Sequence, residues 1–312
     1  MSPPLRIGIL GAARIAPPAL IAPARDNPDA EVVAVAARDG DRARAFAETH
    51  GIPEALDNYE ALIASDTVDA IYNALPPARH ADLTVAALKA GKHVLCEKPF
   101  ALNAAEAQAM VTAADETGQV LMEAFHYRYH PMFEAILAAR AGLGRLKRIE
   151  AVFSVPIAET PGEIRYDAAL GGGALMDLGT YPLHWCRSLA GREPRIVSVT
   201  RRLHAGGADI ATRAELDFGE GLTAVIDCAM DEGPRATLEV EGELGRLSAI
   251  NPLSPQLGHQ LTVGDETMTF SRETTYSFQL KAFVAAVQGG PVITGGRDAV
   301  GQMAAIDAIR AP

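Results

Sequence analysis

The stretch Leu5-Arg6-Ile7-Gly8-Ile9-Leu10-Gly11-Ala12-Ala13-Arg14-Ile15-Ala16 decides how the rest of the chain is read. Its first six residues are few, rich in branched side chains and closed by a glycine, as a strand buried on both faces of a parallel sheet should be. A second such run, residues 31–36, follows at the spacing of one β-α-β unit. The Ala-rich segment between them holds Pro17, Pro18 and Pro23. Proline fits a first helical turn and breaks an interior, which predicts a helix that starts near Ile15 and bends or ends around Pro23. Helices are then expected over 41–50, 59–64, 80–90 and 104–117, alternating with strands over 70–74, 93–96 and 120–124. Strands alternating with helices make a doubly wound parallel sheet.

Beyond residue 124 the pattern changes. Runs at 148–155, 196–203, 212–218, 223–228, 236–241 and 260–270 read as strands with no regular helices between them, the pattern of an antiparallel sheet. Helices are expected at 174–189, 278–287 and 298–309. The division this implies is 1–124 and 125–312, with the seam near 125–131. A chain of 312 residues with 48% hydrophobic and 21% charged residues is globular in composition. Twenty-eight Lys and Arg against 39 Asp and Glu leave a net charge of −11, which argues against nucleic acid or an anionic membrane as partner. No stretch approaches the roughly 20 apolar residues of a membrane span. Arg6 interrupts the apolar run within residues 1–10, so no signal peptide is read there. Cys96, Cys186 and Cys228 are far apart and odd in number, as buried free thiols in a reducing compartment would be, and the expected location is the cytoplasm.

Four groups of residues carry chemistry. A dinucleotide needs small residues where the first strand enters its helix, so that backbone N–H groups can approach a pyrophosphate. Gly11, Ala12, Ala13, Arg14 and Ile15 occupy that turn, although Ala13 and Ala16 stand where G-x-G-x-x-G has its later glycines. After the second strand come Ala37, Arg38 and Asp39. An acid ending that strand would hydrogen-bond the ribose of NAD, whereas a guanidinium suits the 2′-phosphate of NADP. This favours NADP and leaves NAD open. Cys96-Glu97-Lys98-Pro99 follows a strand whose end should face the cofactor, and a lysine there is usable as an acid or base. Last, Asp177, Tyr181 and His184 fall at i, i+4 and i+7 behind Gly171-Gly172-Gly173, on one helical stripe whose plain reading is a solvent-facing polar side.

Taken together, the stretches 8–16 (GILGAARIA), 35–39 (VAARD), 90–99 (AGKHVLCEKP), 123–131 (EAFHYRYHP) and 171–181 (GGGALMDLGTY) resemble the Gfo/Idh/MocA oxidoreductases. Within that family they are most similar to the branch of dihydrodiol dehydrogenases, NADP-linked xylose dehydrogenases and glucose-fructose oxidoreductase. The resemblance implies an N-terminal Rossmann domain followed by an α+β domain with a large, mostly antiparallel open-faced sheet that binds substrate and forms oligomers. It implies Lys98 as catalytic lysine and Tyr181 as its acid/base partner, where many members have a histidine. By the same resemblance Asp177, His184 and Arg128 meet the substrate, with His184 standing where relatives often have Asp or Asn. Leu75, Pro76, His80, Glu97, Tyr127 and Arg128 line the cofactor, while Pro77 departs from a common Asn.

The implied activity is hydride transfer between NADP and a hydroxyl carbon of a sugar or cyclic trans-diol. An NAD-dependent glycosidase of the same fold and a non-catalytic NADP-binding sensor are the other readings. A homodimer or homotetramer is expected, because an antiparallel sheet with one uncovered face favours association. No metal is expected: His126 and His130 lie four apart without a third ligand in suitable spacing, and Pro131 should disrupt the local helix. Cys96 beside Glu97 would be a poor nucleophile, and Trp185 should be packing.

Overall fold

The computed structural model describes residues 3–311; Met1 and Ser2, which begin the stretch read for a leader, and Pro312 lie outside the described residues. The chain divides into two compact units. The first runs through His126 and takes in Tyr276–Val300, and the second comprises Tyr127–Thr275 and the chain from Gly301 on.

The first unit strings together β1 (Leu5–Leu10), α1 (Ala22–Arg25), β2 (Ala30–Ala36), α2 (Gly40–His50), β3 (Glu54–Leu56), α3 (Tyr59–Ala64), β4 (Ala70–Asn73), α4 (His80–Lys89), β5 (His93–Cys96), α5 (Ala104–Thr117) and β6 (Leu121–Glu123). The strands pair in parallel in the order β3-β2-β1-β4-β5-β6. Ile7, Ile9, Leu10, Ile71 and Val94 are fully buried, as strands covered on both faces require. The side chains of Asp39, Asn58 and Asn103 accept from the backbone N–H groups of Arg42, Ala61 and Glu106, capping α2, α3 and α5. Each such cap stabilises by about 1 kcal/mol.

Two details differ from expectation. The proline segment is a wide π-type turn, Pro17–Ile21, running on into α1; Pro17 and Pro18 sit in the segment's opening turn, where no N–H donor is needed, and Pro23 follows the wide turn near the start of α1. β3 is a three-residue edge strand with no alternation to betray it.

The second unit contains α6 (Pro131–Ala139), β7 (Leu146–Ser154), α7 (Thr180–Ala190), β8 (Arg195–Leu203), β9 (Asp209–Gly219), β10 (Leu222–Ala229), β11 (Arg235–Gly242), β12 (Arg246–Ile250), β13 (Gln260–Val263) and β14 (Glu266–Met268). They form one sheet, β14-β13-β12-β11-β7-β10-β9-β8, antiparallel except where β7 and β10 run side by side. Along β9, Thr212, Ala214, Leu216 and Phe218 are buried while Arg213 and Glu215 between them are exposed, so one face is core and the other is polar. Helix α7 packs on β7 and β10.

The run expected as one strand over 260–270 is a hairpin folded at Gly264, whose φ of 59° suits a tight turn between β13 and β14. β12 was not foreseen. Pro131 does not disrupt a helix but opens α6, where its missing N–H costs nothing. The chain closes with α8 (Thr275–Val287) and α9 (Arg297–Arg310). No helix among the described residues is long and apolar enough to cross a membrane.

Candidate active site

In the first unit the strand order reverses between β1, which leads out to β2 and β3, and β4, which leads out to β5 and β6. The crevice beyond the carboxyl ends of strands at such a switch point is where open α/β sheets bind ligands. The backbone leaves β1 at Gly11, which has φ +101° and donates to Ala36 O at 2.8 Å. A Cβ added there would come within 2.9 Å of Leu75 Cδ2. The turn therefore runs hard against the loop after β4, and Ala12 and Ala13 continue it with minimal side chains. Small residues on a tight strand-to-helix turn are what a pyrophosphate needs, and these fit a dinucleotide.

At the adjoining end of β2, Ala37 is buried and Arg38 exposed. Asp39 is committed to capping α2, its Oδ1 taking the Arg42 N–H at 3.0 Å. The Tyr59 hydroxyl is held above its ordinary pKa by burial, opposed by the positive charges of Arg79, Arg38 and Arg42. The Arg79 guanidinium lies 5.9 Å from the Tyr59 ring centre. Arg38, Arg42 and Arg79 are thus all within electrostatic reach of Tyr59, Arg79 being also paired with Asp82 at 2.9 Å. Only Arg38 was legible beforehand; Arg42 and Arg79 sit on two different helical starts that the fold brings together.

The side chains of His80 and Glu97, both expected to line the cofactor, brace the loops that carry them. His80 is fully buried, with Nε2 2.7 Å from Leu75 O and Nδ1 2.9 Å from Pro99 O, so it ties the loop after β4 to the loop after β5. Burial pushes its pKa down. Glu97 Oε1 accepts from the Tyr72 hydroxyl at 2.5 Å and Oε2 from the Lys98 N–H at 3.3 Å. Both hold the backbone that carries Leu75, Pro76 and the half-buried Lys98. His126 is buried against Tyr276, ring centres 4.3 Å apart. Burial, with the Lys98 charge adding to it, lowers its pKa to about 3. The thiol of Cys96 is buried and pushed well up by desolvation, which removes it as a nucleophile.

In the second unit the glycine run has a visible cause. A Cβ on Gly172 would meet the carbonyl oxygens of Ile164, Arg165 and Asp167 at 2.5–2.7 Å, and Gly173, at φ +125°, lies against Asp209. The segment after Gly173 opens as a π-type turn, Leu175–Gly179, before α7 begins. Such wide turns recur at functional sites, and this one alters the simple helical stripe expected through Asp177, Tyr181 and His184. Nor is that face solvent-exposed: the Asp177 side chain is 18% exposed, Tyr181 5% and His184 1%.

Asp177 Oδ2 accepts from Arg165 Nε at 2.5 Å, and Arg165 also pairs with Glu163 at 3.0 Å. Sequence inspection missed Arg165, because it lies in an irregular segment with no periodicity to mark it. The Tyr127 hydroxyl and His184 Nδ1 are hydrogen-bonded, with both residues buried. Arg128 is partly exposed, its guanidinium 5.6 Å from the Phe133 ring centre. Trp185 is buried packing, as expected. His130 caps α6, its Nδ1 accepting from Met132 N at 3.1 Å and its Nε2 facing Ser271 O at 3.1 Å. Among the described residues no group of three or more His, Cys, Asp or Glu side chains is placed to hold a metal ion.

Residues 5–125 match the family model described as an oxidoreductase family with an NAD-binding Rossmann fold, and residues 136–248 match the GFO/IDH/MocA C-terminal domain. The chain is 36% identical to a D-xylose 1-dehydrogenase (NADP(+)) of Haloferax volcanii, over 98% of this chain and 96% of that one. It is 36% identical to the trans-1,2-dihydrobenzene-1,2-diol dehydrogenase of Sus scrofa over 71% of this chain and 67% of that one. A 3-ketoreductase from Actinomadura kijaniata, crystallised with NADP and TDP-benzene, superposes with a TM-score of 0.89 at 31% identity, covering 98% of this chain and 97% of that one.

Proposed function

The chain belongs to the Gfo/Idh/MocA oxidoreductase family, and on that premise we propose that it is an NADP-dependent dehydrogenase acting on a hydroxyl carbon of a sugar or a cyclic trans-diol. The observation that carries the reading is the edge of the parallel sheet at its switch point. There the Gly11–Ile15 turn, the Arg38 guanidinium, the Leu75-Pro76 loop and Lys98 all follow the carboxyl ends of neighbouring strands. The Gly11 turn takes the pyrophosphate, and Arg38, with Arg42 and Arg79 reinforcing the positive field, takes the 2′-phosphate.

The nicotinamide supplies the hydride chemistry when bound. The chain's own part is binding, orientation and proton movement. Lys98 and Tyr181 are the acid/base pair that takes the proton of the reacting hydroxyl. Asp177 accepts a hydrogen bond from a neighbouring substrate hydroxyl and is held in place by Arg165. Arg128 completes the polar contacts. The relatives' named substrates, xylose and dihydrobenzenediol, both present vicinal hydroxyls, and a second hydroxyl gives the Asp177 carboxylate a donor to accept from.

The protein assembles as a homodimer or homotetramer. Exposed apolar residues on the open sheet, among them Val197, Leu203 and Ile250, support this, and light scattering in solution tests it. Three buried free cysteines fit a reducing compartment, the cytoplasm. The decisive experiment follows NADPH absorbance with a panel of aldoses and trans-dihydrodiols, using NAD as control. Stoichiometric NADPH formation with a member of the panel supports the reading. No turnover with any of them, in a protein that binds NADP, refutes it.

A further inference from the structure

His184, expected at the substrate, and Tyr127, expected at the cofactor, are both buried in the second unit and bonded to each other. We propose that Tyr127 and His184 form a positioning unit that holds the ring of Tyr181 in register for proton transfer. The proposal rests on the reading of Tyr181 as half of the acid/base pair.

The packing around Tyr181 leads to this assignment. Its ring is held between two aromatic neighbours, Phe153 at 5.7 Å and 84° and Tyr127 at 5.9 Å and 63°, both close to edge-to-face. Tyr127 is itself gripped by Phe133 at 4.8 Å and Trp185 at 6.0 Å, again edge-on. Those contacts grip the body of its ring, and the hydrogen bond to His184 Nδ1 pins the phenol oxygen, the atom that would sweep furthest if the side chain changed rotamer. His184 lies three residues beyond Tyr181 on α7, so one rigid helix carries both the restrained group and the residue that restrains it.

The backbone of that turn is already tied down. Thr180 O accepts from Gln302 Nε2 at 2.8 Å, and Gln302 Oε1 accepts from the buried Arg187 at 3.0 Å. With that backbone held, the orientation of the Tyr181 ring is a matter of its side chain, against which Tyr127 packs. At 1% exposure the His184 ring is sealed from solvent, which suits a residue that acts through its neighbour rather than by touching the substrate.

The test uses the full-length enzyme and four variants: Tyr127→Phe, His184→Leu, His184→Asn and Tyr181→Phe. Tyr127→Phe keeps the ring and its edge contacts but loses the hydroxyl, and His184→Leu removes the polar partner. Asn places an amide oxygen or nitrogen near the position of Nδ1, able to accept from the phenol or donate to it. Tyr127→Phe and His184→Leu should lower kcat roughly 10–100-fold, as small misplacements of a reacting group do. KM and NADPH affinity should stay within about threefold, and the pH–rate limb belonging to Tyr181 should move. His184→Asn should recover most of the lost rate.

The inference is overturned if folded His184→Leu keeps the parent kcat and pH profile, or if His184→Asn is as slow as His184→Leu. A raised KM at unchanged kcat also overturns it, since that would put His184 in direct contact with substrate. Should His184→Leu fail to fold, Tyr127→Phe, which preserves the packing, decides alone. Tyr181→Phe separates the two levels: parent-like rate and pH profile there dismiss Tyr181 itself, whereas a slow Tyr181→Phe beside unaffected Tyr127→Phe and His184→Leu dismisses only the positioning unit.

Discussion

Replacing Arg38 with alanine should weaken NADPH binding and leave NADH binding nearly unchanged. A hydrogen bond to a charged partner contributes about 1.5–3 kcal/mol, and every 1.4 kcal/mol is roughly a factor of ten in Kd. The structure sets where in that range the loss should fall. Arg38 is exposed, so solvent and salt screen it. Arg42 and Arg79 remain to act on the same place beside Tyr59. Both facts point to the lower end, about tenfold weaker NADPH binding at physiological ionic strength and more at low salt.

NADH affinity should hardly change. Asp39 keeps its cap on α2 and cannot turn to a ribose 2′-hydroxyl without giving up about 1 kcal/mol of helix stability. Calorimetric titration with NADPH and NADH at two ionic strengths reads this directly, with the melting temperature as a folding control. Equal losses for the two cofactors would show that Arg38 serves the pyrophosphate or the fold, and unchanged NADPH affinity would remove it from the site.

Gly11→Ala should destabilise the protein by about 1–3 kcal/mol, because a φ of +101° strains any L side chain, and the new Cβ would press on Leu75; an unchanged melting curve together with unchanged NADPH affinity would contradict the tight turn. Lys98→Met should lower kcat by roughly 10²–10⁴ with NADPH affinity largely kept; a variant that mainly loses cofactor affinity would recast Lys98 as a phosphate or ribose anchor. His126 gives a pH dependence of stability. Burial holds its folded pKa at about 3, against an ordinary 6.5, so below pH 6.5 the unfolded chain binds a proton that the folded one refuses. Stability should therefore fall as the solution is acidified, by about 2 kcal/mol between pH 7 and pH 5 from this residue alone. Urea unfolding of the parent and of His126→Phe at the two pH values measures it, and equal acid sensitivity in both would refute the assignment.

Local regularities were readable from the chain alone. A buried parallel strand is a short run of branched residues and an amphipathic or Ala-rich helix ends at a glycine, so every strand of the parallel sheet but β3, and the helices between them, could be written down beforehand, and Gly11, Arg38, Lys98, Asp177 and Tyr181 stood out as candidates. β3 escaped because an edge strand of three half-buried residues has too few positions for a period to show. The hairpin at Gly264 passed for one strand because both arms share the same alternation on either side of a two-residue turn.

What the tertiary structure decided are the relations between residues far apart in sequence. His80 and Glu97 stood out as candidates, but that Leu75, Pro99 and Tyr72 engage their side chains could not be read from the chain. Arg165 reaches Asp177 from an irregular loop, and Tyr127 meets His184 across 57 residues. A sequence specifies which chemical groups are available and the local conformations their backbones prefer. Which groups face each other, and which are sealed from water, depends on packing that sums over the whole core, and no local pattern encodes it.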